Sequence, residues 1–288
     1  MTKPQPTYFY YLLLCICFSC SNFDPDESIP SYLYIAPIQF TTTPNEGSAR
    51  QDFKDAWVYA NGDYVGAYEL PATIPIVYQG IVDISIIPGI RLNGSVQMPH
   101  RHGLVKEFKK TIEMHATEVD SLYPFSAYEE SLKFPFIEDF DLNHFFNGEE
   151  DMNSETKLVL TNPMDAFEGT NSGLIELDSM RNYFESWYDI DRPIPLSSNP
   201  IMMEIHYKSD IPFSIGFIAF NNGNFAARHL EGRLFPNSEW TKVYFDFREI
   251  LNAEFAGSYK IAIQAFYNKD ISKSKQQIFI DNIKVVHR

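Results

Sequence analysis

Trp57-Val58-Tyr59-Ala60-Asn61-Gly62-Asp63-Tyr64-Val65-Gly66-Ala67-Tyr68 sets Asn-Gly between two runs rich in Val, Tyr and Trp. A two-residue turn of the I′ type needs positive φ at both central positions, which Asn and Gly accept at low cost. The stretch therefore predicts a β-hairpin. Leu70-Pro71 stops its second strand, residues 75–78 and 81–87 read as further strands, and Pro88-Gly89 turns the chain again. Upstream, residues 32–40 alternate as a first strand. Downstream, Phe108, Ile112, Met114 and Val119 fit a strand with Lys109, Lys110, Glu113 and Glu118 facing water, while a short amphipathic helix fits the same spacing.

The composition extends this reading to the whole chain. It has 288 residues, 44% of them hydrophobic, with 24 Phe and 17 Tyr against three Trp, which is enough apolar material for two cores and favours strands. The expected class is all-β. The net charge of −15 sets the chain against phosphate backbones and anionic headgroups, so no nucleic-acid partner is expected.

Residues 123–136 carry Pro124 and Pro135 among polar residues and read as a linker or last edge, with a domain boundary near 133–135. Beyond it the pattern changes to longer strands at 201–207, 213–220, 240–247, 259–267 and 278–286. Regular strands without intervening helical periodicity predict an antiparallel sandwich over residues 136–288. Residues 31–135 are expected to form a smaller sandwich.

The first thirty residues read as an address. Lys3 precedes an apolar run at 8–18, which is the length of a signal-peptide core and too short to span a bilayer. Cys15, Cys17 and Cys20 follow Leu14, Ile16 and Ser19, and only Cys20 has the small residue before it that lipoprotein cleavage needs. The segment resembles a bacterial lipobox, with Cys17 where Leu is usual. That resemblance implies a signal peptide at 1–19, lipidation of Cys20 and membrane attachment through the lipid. Residues 20–30, with Asp24, Asp26 and Glu27, form an acidic tether, similar to the export signal of surface lipoproteins of the Bacteroidota. The alternative reading of the tether is a plain solvated linker.

Val58, Asn61, Gly62, Gly66, Leu70, Pro71 and Gly80 stand where the PEGA-type repeat of surface proteins has its marks, so the hairpin region resembles that Ig-like or transthyretin-like module. Glu138-Asp139-Phe140-Asp141, residues 167–173, the strand from Trp240 and the closing Ile280-Asp281-Asn282-Ile283 together resemble a galactose-binding-like jelly roll of the carbohydrate-binding-module kind. The pair of domains is similar to two-domain lipoproteins of the Bacteroidota. The jelly-roll likeness implies a structural calcium tying first strand to last, with Glu138, Asp139, Asp141, Glu168 and Asp281 as its oxygen donors. The competing reading makes Asp281-Asn282 a bulge and Glu138-Asp139 a solvated entry.

Alternation supplies the candidate binding residues. With Val243, Phe245 and Phe247 inward, Lys242 and Tyr244 point out; with Ile201, Met203 and Ile205 inward, Glu204 and His206 point out; Lys260, Gln264 and Phe266 are exposed by the same logic. Such a face holds a sugar by stacking and hydrogen bonds, or is simply the solvated side of a sheet. Trp187 and Tyr188, with Tyr183 and Phe184, read either as an aromatic platform on a loop or as a short helix packed on the sandwich. His100 and His102 read as part of a solvated loop, since no third metal ligand is placed beside them. His-Glu-x-x-His, Gly-x-Ser-x-Gly and a phosphate-binding Gly loop are all missing from the sequence. The expectation is a non-catalytic, lipid-anchored outer-membrane protein facing the exterior and binding a glycan or other ligand. Its rivals are a structural subunit of an envelope assembly that meets protein, and a small hydrolase.

Overall fold

The structure is a computed structural model that describes residues 29–93, 99–148 and 156–288. Cys15, Cys17, Cys20 and the acidic run of the tether lie outside the described residues. Among the described residues no helix is long and apolar enough to cross a membrane.

The first domain holds β1 (Ser31–Ile35), β2 (Gln39–Thr41), β3 (Asp55–Ala60), β4 (Asp63–Glu69), β5 (Ala72–Ile76), β6 (Gly80–Ile90), β7 (His100–Arg101), β8 (Phe108–Met114), β9 (Val119–Leu122) and β10 (Phe125–Ala127). β3 and β4 pair from Asp55 with Glu69 to Ala60 with Asp63, and Asn61 and Gly62 turn between them at φ 51° and 88°. The local turn chemistry thus produces the hairpin. β3 also pairs with β6, whose two ends carry β7 and β8. A second sheet runs β5-β1-β9, with β1 and β9 parallel, and a parallel pair β2·β10 extends the layer. Leu33, Ile35, Val58, Ile74, Val82, Ile84 and Ile86 form the core between the layers, each contributing about 1.5–3 kcal/mol by burial.

The second domain holds β11 (Lys133–Glu138), β12 (Phe146–Gly148), β13 (Val159–Leu160), β14 (Gly173–Leu177), β15 (Tyr183–Tyr188), β16 (Met202–Ser209), β17 (Phe213–Asn221), β18 (Asn224–Leu234), β19 (Asn237–Asp246), helix α1 (Arg248–Glu254), β20 (Ser258–Phe266) and β21 (Gln276–His287). One sheet runs β13-β14-β21-β16-β19 with β11 also on β21; the other runs β12-β15-β20-β17-β18. All their pairings are antiparallel, and the two sheets enclose one core that includes Met203, Ile205, Phe217, Phe245, Ile263 and Val285. The chain is all-β with two sandwiches, the second a jelly roll. Asp281 and Asn282 interrupt the β16·β21 register, and Asn282 takes φ 48°, so both Ile280 and Ile283 reach the core across a bulge.

The segment 123–136 holds β10, which pairs with β2 as a last edge of the first domain, and the start of β11, which pairs with β21. Residues 183–188 form neither a loop nor a helix but strand β15, with Phe184 and Tyr188 in the core and Tyr183 and Trp187 on the opposite side.

The domains share a third core of Phe53, Ile90, Leu104, Val105, Tyr128, Met202, Tyr244 and Val286. The segment between β2 and β3 lies across the outer face of the six-stranded sheet. Lys284 Nζ donates to the carbonyls of Glu46 at 2.6 Å and Ser48 at 2.9 Å, and Lys242 Nζ to that of Arg50 at 2.8 Å. Gly47, at φ +69°, lets the chain pass close over Ile137 and Lys284, where a Cβ would stand 3.2 Å from the isoleucine methyl. Leu92 and Asn93 extend this cover to the edge strand: Leu92 bridges Tyr244, and the Asn93 N–H donates to its carbonyl at 2.8 Å.

Candidate functional site

The cover changes the fate of four candidate residues. Glu204, His206, Lys242 and Tyr244 do point away from the sandwich core, but they are buried between the domains rather than open to a ligand. Glu204 lies 2.7 Å from Lys242 Nζ, accepts the Tyr128 hydroxyl at 2.8 Å and the Gln51 amide at 3.1 Å, and sits 3.6 Å from His102 Nε2. His102 is thereby part of the buried join and not of a solvated loop. Tyr244 donates to the Gln51 carbonyl oxygen at 2.8 Å and accepts the Asp52 N–H at 2.9 Å.

Burial would raise the Glu204 carboxyl, but Lys242, His102 and Lys284 outweigh it and hold the group ionised, well below its ordinary value. Burial lowers Lys242 despite Glu204, and lowers Lys284 to about 8. Burial and the neighbouring Lys242 push His206 down to about 2, so it stays neutral, stacked 4.4 Å from Phe167. This arrangement joins domains and leaves no room for a ligand.

The acidic residues expected to hold calcium do not form one cage. The pairing of β11 with β21 brings the two ends of the domain together. However, among the described residues no three acidic, His or Cys side chains are grouped to hold a metal ion. Glu138 accepts the Phe140 N–H at 3.0 Å. Asp139 accepts the Asp141 N–H at 3.2 Å, and Asp141 the Thr170 N–H at 2.6 Å. Asp281 takes the Ser172 hydroxyl at 2.6 Å and the Asn282 N–H at 2.7 Å. Glu168 turns toward the covering segment, accepting from Ser48 and from Asn282 and standing 3.5 Å from Arg50.

Among the described residues, the outer face of the five-stranded sheet carries no such cover. Across four strands Glu185, Gln264, Ser214 and Arg233 stand opposite one another in a single row, because β15·β20, β20·β17 and β17·β18 pair in one register there. Glu185 is buried, and accepts Arg228 Nη2 at 2.7 Å, Gln264 Nε2 at 2.7 Å and the Tyr183 hydroxyl at 2.6 Å. Beside the row, Tyr183 and Phe266 pack at 5.0 Å between ring centroids with a 41° tilt, and Phe266 is 57% exposed. A hollow of about 360 Å³ opens next to them, lined by Ser214, Arg233, Gln264, Phe266, Asn268 and Lys269 among others.

Of the residues expected from the sequence, Gln264 lies at the centre of this face and Trp187 on its half-buried flank opposite Gly148. Tyr188 does not belong to it: it faces the core, 4.5 Å from Phe136. Tyr183 was expected only as part of an aromatic platform or helix, and Glu185, Ser214, Arg228 and Arg233 were not among the expected site residues. Strand alternation in 183–188 was the available signal, and the i, i+3, i+4 aromatic spacing there masked it.

The arrangement offers an exposed aromatic edge, fixed donors and acceptors, and a shallow hollow. Such a face binds a flat polar ligand by stacking and hydrogen bonding. No family model and no curated protein matches the chain. The solved structures to which the chain is similar include carbohydrate-binding modules. TmCBM61 in complex with beta-1,4-galactotriose is 15% identical over 52% of this chain and 94% of its own, with a TM-score of 0.34. BiXyn10A CBM1 in its apo form is 17% identical over 54% and 99%, with a TM-score of 0.36. The family 11 module from Clostridium thermocellum, in complex with a beta-1,3-1,4-mixed-linked tetrasaccharide, is 14% identical over 54% and 94%, with a TM-score of 0.32.

Proposed function

We propose that this protein is a non-catalytic, lipid-anchored receptor of the cell surface that binds a glycan through the outer face of the five-stranded sheet. One observation carries the reading: this sheet face is open, and on it the polar row Glu185-Gln264-Ser214-Arg233 runs beside the exposed Tyr183–Phe266 pair. Glu185 spends its oxygens on Arg228, Gln264 and Tyr183, and so fixes those side chains before a ligand arrives. Preformed donors lower the ordering cost of binding. The aromatic pair supplies the apolar plane that the C–H face of a sugar ring needs.

The anchor reading rests on Cys20 and the apolar run before it, and display on the acidic run from Asp24 to Glu27. Because the six-stranded sheet packs on the first domain, the five-stranded face is on the far side of the jelly roll from the domain that follows the tether. A glycan array probed with the full mature chain, run beside affinity purification from intact cells, tests the proposal. Binding to one class of glycan is the expected result. A stoichiometric envelope protein without any glycan signal contradicts it and favours the structural-subunit alternative.

A further inference from the structure

The first domain has an open groove of its own, about 680 Å³, over the outer face of β3, β6 and β8. Tyr59, Ser85 and Lys109 stand opposite one another across those three strands and form its middle, with Ile87 and Arg101 toward one end and Asp83 and Thr111 toward the other. Trp57, on the same face as Tyr59, packs on Tyr64 at 5.5 Å, and Tyr59 packs on Tyr64 at 5.4 Å. The Arg101 guanidinium lies 5.1 Å over the Trp57 ring, and its Nη1 donates to the Tyr59 hydroxyl at 3.3 Å.

The charges are not evenly spent. Asp83 accepts the Thr111 hydroxyl at 2.6 Å, and Glu107 accepts the Ser85 hydroxyl at 2.7 Å and pairs with Lys109. Arg101 makes no ion pair with any described residue, in a chain whose net charge is −15. A guanidinium without a carboxylate partner draws an anionic ligand that the rest of the surface repels. An arginine fork over an aromatic ring suits a carboxylate in particular.

We propose that this groove is a second ligand site, taking a glycan that carries uronic acid residues. The sugar ring lies over Tyr59 and Ile87, its carboxylate meets the Arg101 fork, and its hydroxyls reach Ser85 and Thr111. The inference stands on the first domain's own residues and is independent of the reading of the jelly roll.

Calorimetric titration of the full mature chain tests it, using oligogalacturonate, its methyl ester, and oligomers of glucuronate and mannuronate. At least one acidic oligomer is expected to bind, and added salt to weaken it. Arg101→Gln should lower that affinity about tenfold or more, as should Tyr59→Ala, with the melting curves of both variants unchanged. Phe266→Ala should leave it intact. No binding of any acidic oligomer, equal binding of the methyl ester, or an unaltered affinity in Arg101→Gln overturns the proposal. Loss of acidic-oligomer binding in Phe266→Ala alone places that binding on the jelly roll and overturns it too, while leaving the reading of that domain in place.

Discussion

The two outer faces of the jelly roll begin from the same alternation and end in opposite environments. On the six-stranded sheet, Glu204, His206, Lys242 and Lys284 point away from the core and are buried beneath residues 46–52 and the loop around His102. On the five-stranded sheet, Tyr183, Gln264, Arg233 and Phe266 point away from the core and meet solvent. Alternation identifies the side of a strand that faces out. It does not identify what arrives to cover that side.

The closed face predicts the largest effect. Glu204→Gln leaves Lys242 and Lys284 without their counter-charge, and breaking a buried pair on one side costs about 3–5 kcal/mol. A urea titration should show that loss. Replacing both partners, as Glu204→Leu with Lys242→Met, should recover most of it, since two apolar groups need no compensation. A double variant as unstable as the single one contradicts the account of this join.

Protonation gives the next effect. Burial raises Glu138 and Asp281 each to about 7, so the folded protein keeps these protons where the unfolded chain has lost them. Their contribution to stability is complete below pH 4 and is lost as pH rises to about 7. His206, held at about 2, acts in the other direction up to its ordinary value of 6.5. His144, also lowered by burial, acts in the same direction as His206, and each of the two carboxyls contributes a fall of about 1.4 kcal/mol per pH unit between 4.5 and 6.5. Urea midpoints measured across that range should fall more steeply, or rise less steeply, with pH in the wild type than in Asp281→Asn. Equal pH slopes in the two proteins contradict the burial of Asp281.

The smallest effect concerns the hairpin. Gly62 sits at φ +88° with open space around its Cα, so Gly62→Val meets only the backbone cost of that conformation, about 1–2 kcal/mol. A melting temperature lowered by roughly 2–8 °C is expected. The jelly-roll face should be indifferent to the change.

These cases also show what was readable in the sequence. Asn61-Gly62 dictates its turn locally, and the five long strands of the second domain carry their own periodicity, so the hairpin and the sandwich follow from neighbours in the chain. The edge strand β18 was not expected, because Asn224–Leu234 is mostly polar and exposed and carries little inward pattern. The burial of Glu204 and Lys242 depends on Gln51 and Arg50, 153 and 192 residues away in sequence, and that segment is itself polar. No local pattern announces such a cover. Gln264 was readable on the open face because β20 alternates cleanly. Its partners Glu185 and Arg233 depend on a cross-strand register that only the folded sheet sets.

The division between the two faces is tested most directly by pairing one substitution on each with one binding measurement. For the saccharide that the array identifies, calorimetric Kd values and melting curves would be taken for wild type, Phe266→Ala and Glu204→Gln. The account predicts that Phe266→Ala weakens binding about tenfold with an unchanged melt, and that Glu204→Gln lowers the melt by several degrees while the folded protein keeps its Kd. The reverse pattern, in which the buried substitution abolishes binding at full occupancy of the folded state and Phe266→Ala has no effect, would contradict it.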